Sequence, residues 1–276
     1  SFIGFSQTQK DSIKTTKLDE VIISNKVPTN LTLLPNQVKV ITEKQIDFQN
    51  FQSIAEVLSN SGSLFVQKSQ QGGGSPVIRG FEASRVLLLV DGIRMNNLIF
   101  RAGHLQNVIT VDESMLDNVG IFYGPTSTLF GSDALGGTVA MSTKSAKFLN
   151  QAKNEFSGNV NTRYSSANEE KSIAVNINYA AENFASLTSL SFNDFGDLKM
   201  GKRKNHNGDF FGERPFYVAT INGVDQLLVN DDKYVQKNSA YKQYNFLQKF
   251  AYKTASGFEH GLNLQFSTTT DIPRYD

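Results

Sequence analysis

The chain contains no cysteine and no tryptophan. Without cysteine there is no disulfide framework and no thiolate metal site. Paired acid/base and nucleophile motifs are missing too. His206 and nearby Asp209 have no recognisable partner serine, so no enzymatic activity is expected. Net charge is nearly absent, at +1, so no global attraction to nucleic acid is implied. No apolar run approaches the ~20 residues of a membrane helix. That excludes spanning helices only, because a transmembrane β-barrel is written in weak alternating segments of ~10 residues. Phenylalanine and tyrosine are plentiful, at 21 and 9.

The most structured stretch is residues 72–144. Residues 86–90 (VLLLV) read as a short apolar strand. Asp91-Gly92 follows as a hairpin turn, and residues 93–97 return as its partner. Residues 119–123 form another strand, broken by Gly124-Pro125. Proline opens a one-turn helix at 126–130 and Gly131 ends it. Residues 132–135 allow a second such turn. Residues 138–143 resume as a strand, with Val139 and Met141 on one side.

These residues also carry a family resemblance. Ile78-Arg79-Gly80-Phe81, the RVLLLVDG hairpin, Gly124-Pro125 with Ser127, and the run GSDALGG at 131–137 stand in order over about seventy residues. The stretch resembles the plug domain of TonB-dependent outer-membrane receptors. The resemblance implies that Arg79 helps lock plug to barrel. Where many members place a second arginine before Gly-Pro, this chain has Tyr123, which implies a lock that is weaker or built differently.

Residues 1–17 read as a signal-peptide remnant and polar linker, the first nine being equally compatible with a disordered terminus. In residues 18–24, Val21, Ile22 and Ile23 form a β-prone run. It could add to another protein's sheet edge or be the plug's first strand. The resemblance places the Ton box here: Leu18, Asp19, Glu20, Val21, Ile22, Ile23 and Ser24. Residues 25–147 are then the plug. Within it, Thr42 with Gln45 and Ser53 with Glu56 fit capping boxes, and Ile54, Val57 and Leu58 share a core-facing helical side.

The polar loop at 67–75 holds Gly72, Gly73 and Gly74. No Gly-Lys-Ser/Thr follows, so nucleotide binding is not expected. Either it is simply flexible or, as the resemblance implies, it reaches the substrate pocket. Residues 98–112 hold His104, in a loop after the plug hairpin, with Arg101 nearby. A lone histidine is more often structural. The segment RAGHLQN nevertheless resembles the heme-receptor branch, in which a plug histidine can ligate heme iron.

From residue 156 the pattern alternates. Five segments put Phe156, Val160 and Tyr164; Ile173, Val175, Ile177 and Tyr179; Phe184, Leu190 and Phe192; Tyr244, Phe246, Phe250 and Tyr252; and Phe258, Leu262, Leu264 and Phe266 on apolar faces. Arg163, Lys249, Lys253 and Glu259 take the polar parity, and His260 is the exception. Aromatics recur near strand ends, as an interfacial girdle requires. Short connections at 181–183 and 254–257 alternate with an intermediate one at 165–172 and a long, structureless one at 194–243. This is the outer-membrane pattern of short periplasmic turns and long outer loops.

The expected fold is a mixed α/β plug, with a small mostly antiparallel sheet and short helices. The first five strands of an antiparallel transmembrane β-barrel follow at 148–276. Five strands cannot close, so the chain reads as the N-terminal part of a longer receptor. The resemblance implies active import of an iron complex across a Gram-negative outer membrane, energised by TonB. Heme leads, siderophore and cobalamin follow, and a non-transporting adhesin is the rival. No intrinsic cofactor is expected. Implied partners are TonB, the iron-complex ligand, membrane lipid, and a surface lipoprotein or host heme protein.

Overall fold

The computed structural model describes residues 37–62, 64–68, 70–95, 110–149, 154–202 and 212–272. Leu18 to Ser24, Arg101, His104 and His206 lie outside the described residues.

The N-terminal domain begins with β1 (Val38–Thr42), α1 (Glu43–Gln49) and α2 (Ile54–Ser59). Strands β2 (Phe65–Gln67) and β3 (Ser75–Val77) follow and pair with each other. Then come β4 (Val86–Val90), β5 (Ile93–Arg94), β6 (Leu116–Tyr123), α3 (Ser127–Phe130) and β7 (Gly137–Thr143). The main sheet has the order β1-β6-β7-β4-β5. Only β4 and β7 run parallel. The continuous apolar run of β4 is explained by burial on both faces. Val86, Leu88 and Val90 pack with Val139 and Met141, while Leu87 and Leu89 pack with Phe122 and Ala140.

The glycine motifs are tight turns and close approaches. Arg79 and Gly80 have φ of 51° and 83°, and Ile78 and Phe81 exchange two backbone hydrogen bonds of 2.9 Å. That is a type I′ turn. Asp91 and Gly92 repeat it at 48° and 80°. At Gly136 a Cβ would lie 2.2 Å from Phe81 Cβ, and at Gly137 one would lie 2.4 Å from the Phe122 carbonyl. Only glycine fits there. Residues 132–135 form turns and bends rather than the second helical turn that was allowed.

One capping box forms: Gln45 Oε1 accepts the Thr42 N–H at 3.0 Å. The other does not. Ser53 stands at the N-cap of α2 without a side-chain cap bond. Glu56 instead accepts the Gln52 N–H at 3.1 Å and meets Lys68 Nζ at 3.4 Å.

The second domain is an antiparallel wall of long strands: β8 (Glu155–Ser165), β9 (Glu170–Ala180) and β10 (Phe184–Phe195). After β10 come β11 (Leu198–Lys199), β12 (Phe216–Ile221), β13 (Val224–Val229) and β14 (Val235–Gln236). The wall then resumes with β15 (Tyr241–Lys253) and β16 (Glu259–Thr269), in the order β16-β15-β10-β9-β8. The five alternating segments are these five long strands. Two connections differ from expectation. The intermediate one is a four-residue turn at 166–169. The long one carries structure: β11 pairs β14, and β12 and β13 form a hairpin.

Side-chain alternation follows the sequence pattern, because neighbouring residues of a pleated strand face opposite sides. Ile173, Leu190, Leu264 and Phe266 are 43–60% exposed on the outer face. Ala174, Asn176, Ser189, Ser191, Leu247 and Asn245 are buried on the inner face, against the N-terminal domain. The strands run further than the pattern indicates. They carry Asp194 and Lys242 onto the outer parity at one rim, directly opposite each other and ion-paired at 3.0 Å.

Candidate functional site

The two domains meet through charged and amide side chains. Three stations carry the contact.

The first is Asp112, buried at the N-terminus of a one-turn 3-10 helix at Glu113–Met115. Its carboxylate accepts the Ser114 N–H at 2.9 Å. It also accepts from Ser191 Oγ (2.7 Å), Asn193 Nδ2 (2.7 Å) and Asn245 Nδ2 (3.3 Å). One carboxylate of the inner domain thus gathers donors from β10 and β15. A buried charge is tolerable only when its lone pairs are satisfied in this way.

The second station is Arg163 on β8. It donates to the carbonyls of Asn50 (3.2 Å) and Phe51. Its guanidinium meets Glu170 through Nε at 2.7 Å and Glu113 at 3.4 Å. Glu170 is wholly buried and also accepts from Gln52 Nε2. Two carboxylates, Glu113 and Glu170, therefore share one arginine, and Asp112 stands next to Glu113 in the chain. Burial, with Asp112 adding to it, pushes the Glu113 carboxyl up to about 8 against the lowering pull of Arg163.

The third station is Asp91, in the β4–β5 turn. It accepts from Thr143 N (2.8 Å), Thr143 Oγ1 (2.6 Å) and Asn263 Nδ2 (2.8 Å), and pairs with Lys249 Nζ at 3.0 Å. Asp91 is both the turn residue read from the sequence and a docking group for β15 and β16.

Arg79 is exposed. It donates to Gln37 Oε1 at 3.1 Å and lies 5.5 Å over the Tyr123 ring. Both partners belong to the N-terminal domain. Tyr123, standing where the second arginine was looked for, is thus a cation–π partner of Arg79. Gly72, Gly73 and Gly74 are buried rather than carried on an exposed flexible loop. A Cβ on Gly74 would lie 2.5 Å from Val66 Cγ1. The adjacent Gln71 amide, oriented to satisfy both its ends, joins the Gly196 and Ser239 carbonyls and Asn168 in the outer connections. Sequence reasoning did not single out Asp112, Glu113 or Glu170. Arg163 and Lys249 were visible only as charges on the polar parity.

Two cavities lie between the domains. One, of about 420 Å³, is lined by α1, residues 112–114, β8 and β9. The other, of about 230 Å³, lies further along the same pair of strands. Among the described residues no group of histidine or acidic side chains could hold a metal ion.

Known proteins share this architecture. Residues 31–138 match the TonB-dependent Receptor Plug Domain. The chain is 28% identical over 164 residues to heme/hemopexin utilization protein C of Haemophilus influenzae, covering 58% of this chain and 22% of that protein. It is 33% identical over 132 residues to the vitamin B12 transporter BtuB of Vibrio vulnificus, covering 46% and 21%. Among solved structures, the Serratia marcescens hemophore receptor HasR, in complex with its hemophore HasA and heme, superposes with a TM-score of 0.65. That match is at 20% identity over 86% of this chain and 32% of HasR. The chain is a plug domain with the first strands of a β-barrel. Its plug matches that of the TonB-dependent receptors. It spans about a fifth of the length of the curated relatives it matches.

Proposed function

We propose that this receptor imports heme across the outer membrane of a Gram-negative bacterium, energised through TonB. The observation that carries the heme reading is the likeness to a heme/hemopexin utilization protein over 58% of the chain. The fold shared with a hemophore receptor supports a heme-bearing protein as the outer partner. Heme would bind on the outer side, with His104 as an axial ligand and Arg101 beside it. Gly72 to Gly74, packed beneath the outer connections through Gln71, would support that side of the pocket. Residues 18–24 would be the Ton box, drawn out by TonB so that the plug rearranges. The relationship to a vitamin B12 transporter at similar identity supports cobalamin as the second reading.

The test is titration of heme into purified full-length receptor, followed by Soret absorbance, beside a His104→Ala variant. The expected result is a saturable shift that the variant loses or alters. A shift unchanged in the variant removes His104 from the site. No saturable shift contradicts heme and sends the same titration to cobalamin.

A further inference from the structure

One side chain interrupts the apolar outer face of the wall. Leu247 is wholly buried against the plug, and Lys249 reaches inward to Asp91 at 3.0 Å. Gln248, between them, therefore points outward. It stands four residues from Tyr244 and four from Tyr252, roughly 13 Å along the strand from each. Both rings are about half exposed on the outer face, one toward each rim. Aromatic girdles flank the apolar band of a membrane barrel, so Gln248 lies at the middle of that band. Between those two levels, the described outward positions of β8, β9, β10, β15 and β16 carry no other amide and no charge.

Gln248 is bonded on the outer face itself. Its Oε1 accepts from Thr188 Oγ1 at 2.7 Å, and its Nε2 donates to Ser186 Oγ at 2.9 Å. All three residues share the outward parity and make a polar island. Ile177 and Leu264 stand beside it in the register, and Phe246 and Phe250 stand before and after it on β15. These bonds let the amide stand in hydrocarbon, where an unpaired one costs several kcal/mol. They do not use it fully. The second N–H goes only to the carbonyl of the next residue, Lys249, at 3.3 Å, beyond the usual 2.7–3.2 Å. One lone pair of Oε1 is also left over.

We infer that this face is an interface between two copies of the receptor within the membrane, with Gln248 of each copy bonded to its counterpart. Copies of one receptor share one orientation in the bilayer, so a two-fold axis relating them lies along the membrane normal. Such an axis preserves depth and sets a surface patch against itself. The group that meets Gln248 is then the same group. A primary amide carries both donor and acceptor, so it is self-complementary. Acyl chains offer neither, which selects a second copy over lipid as the occupant. On the Tyr244 side of the island lies a groove of about 340 Å³, lined by Leu190, Phe192, Tyr244, Phe246 and Phe266 among others. It gives the second copy's apolar side chains of that depth a place to pack. Nothing in this contact depends on which solute is carried.

The test uses full-length receptor in isolated outer membranes, with any cysteine outside the present chain replaced. Leu264→Cys lies opposite Gln248 in the register, and Val160→Cys lies on the outward face of β8. Each is treated with a membrane-permeant bismaleimide. Leu264→Cys should give about fivefold more covalent dimer than Val160→Cys, or better. Adding Gln248→Leu to Leu264→Cys should cut that dimer by about fivefold or more, since side-chain hydrogen bonds hold such contacts together in lipid. Folding of each variant is checked by the resistance of unheated receptor to unfolding in detergent. Should Gln248→Leu fail to fold, Gln248→Met, close to glutamine in shape, carries the same expectation. Equal yields at the two cysteines, no dimer from Leu264→Cys, or a yield that survives loss of the amide overturns the inference.

Discussion

Glu113 shows how much a single residue's environment decides. Its carboxyl is crowded by Asp112 and Glu170, answered by one guanidinium, and pushed up to about 8 by burial. An unfolded glutamate releases its proton near 4.5. Between about pH 4.5 and 8 the folded receptor therefore holds a proton that the unfolded chain does not. Stability must fall as pH rises through that window and level off above it. At ~1.4 kcal/mol per pH unit, the full span corresponds to an upper bound of about 5 kcal/mol. Glu113→Gln should flatten the dependence and leave the plug more resistant at pH 8. Thermal unfolding of wild type and variant from pH 5 to 9 checks this; parallel curves would show that Glu113 does not titrate in the window. Little of this was legible beforehand. Asp112 and Glu113 occupy an unremarkable VDES run, and nothing local to it says that β8 will bring an arginine against them. The glycine motifs were the reverse case. A turn glycine's demand for positive φ is local, so Asp91-Gly92 announced its hairpin directly, whereas the close approaches of Gly136 to Phe81 and of Gly137 to Phe122 come from the fold.

At the scale of elements, parity was the readable quantity. Alternation assigned both faces of all five wall strands, because the pleat leaves no freedom once one residue is placed. Leu264 and its neighbour Gln265 make the contrast concrete. Register sets Leu264 opposite Gln248 and Gln265 opposite Leu247, so the first faces outward and the second inward. Leu264→Arg should cost roughly 2–4 kcal/mol of barrel stability in lipid, as an arginine near the bilayer midplane does. Gln265→Arg should cost much less. Urea unfolding of the full-length receptor in lipid vesicles compares the two, and equal losses would place both faces in the same medium. Strand ends were harder to read. Asp194 and Lys242 looked like loop residues because they are charged, yet each neutralises the other across the β10–β15 pair. The outer connection looked structureless because its strands are short; the Asn222-Gly223 turn, with φ of 54° and 79°, was a local hairpin signal for β12 and β13.

For the whole molecule, sequence motifs defined the plug, and the plug-domain match falls on the same residues. What they left unspecified is how plug and wall are fastened. That fastening depends on pairs such as Asp91 with Asn263 and Asp112 with Asn245, more than a hundred residues apart in sequence. No local pattern records such a pair. The structure shows a plug held to the strand wall by ionic and amide contacts that reach all five of its long strands.

The central claim is energised import, and its most direct measurement is heme-dependent growth of cells carrying wild-type full-length receptor or an Ile22→Pro variant, beside heme binding to each. Proline removes a backbone donor and cannot extend a sheet from the middle of a strand. The account predicts that the variant binds heme as well as wild type does and supports at least tenfold less growth. Equal growth would contradict coupling through residues 18–24.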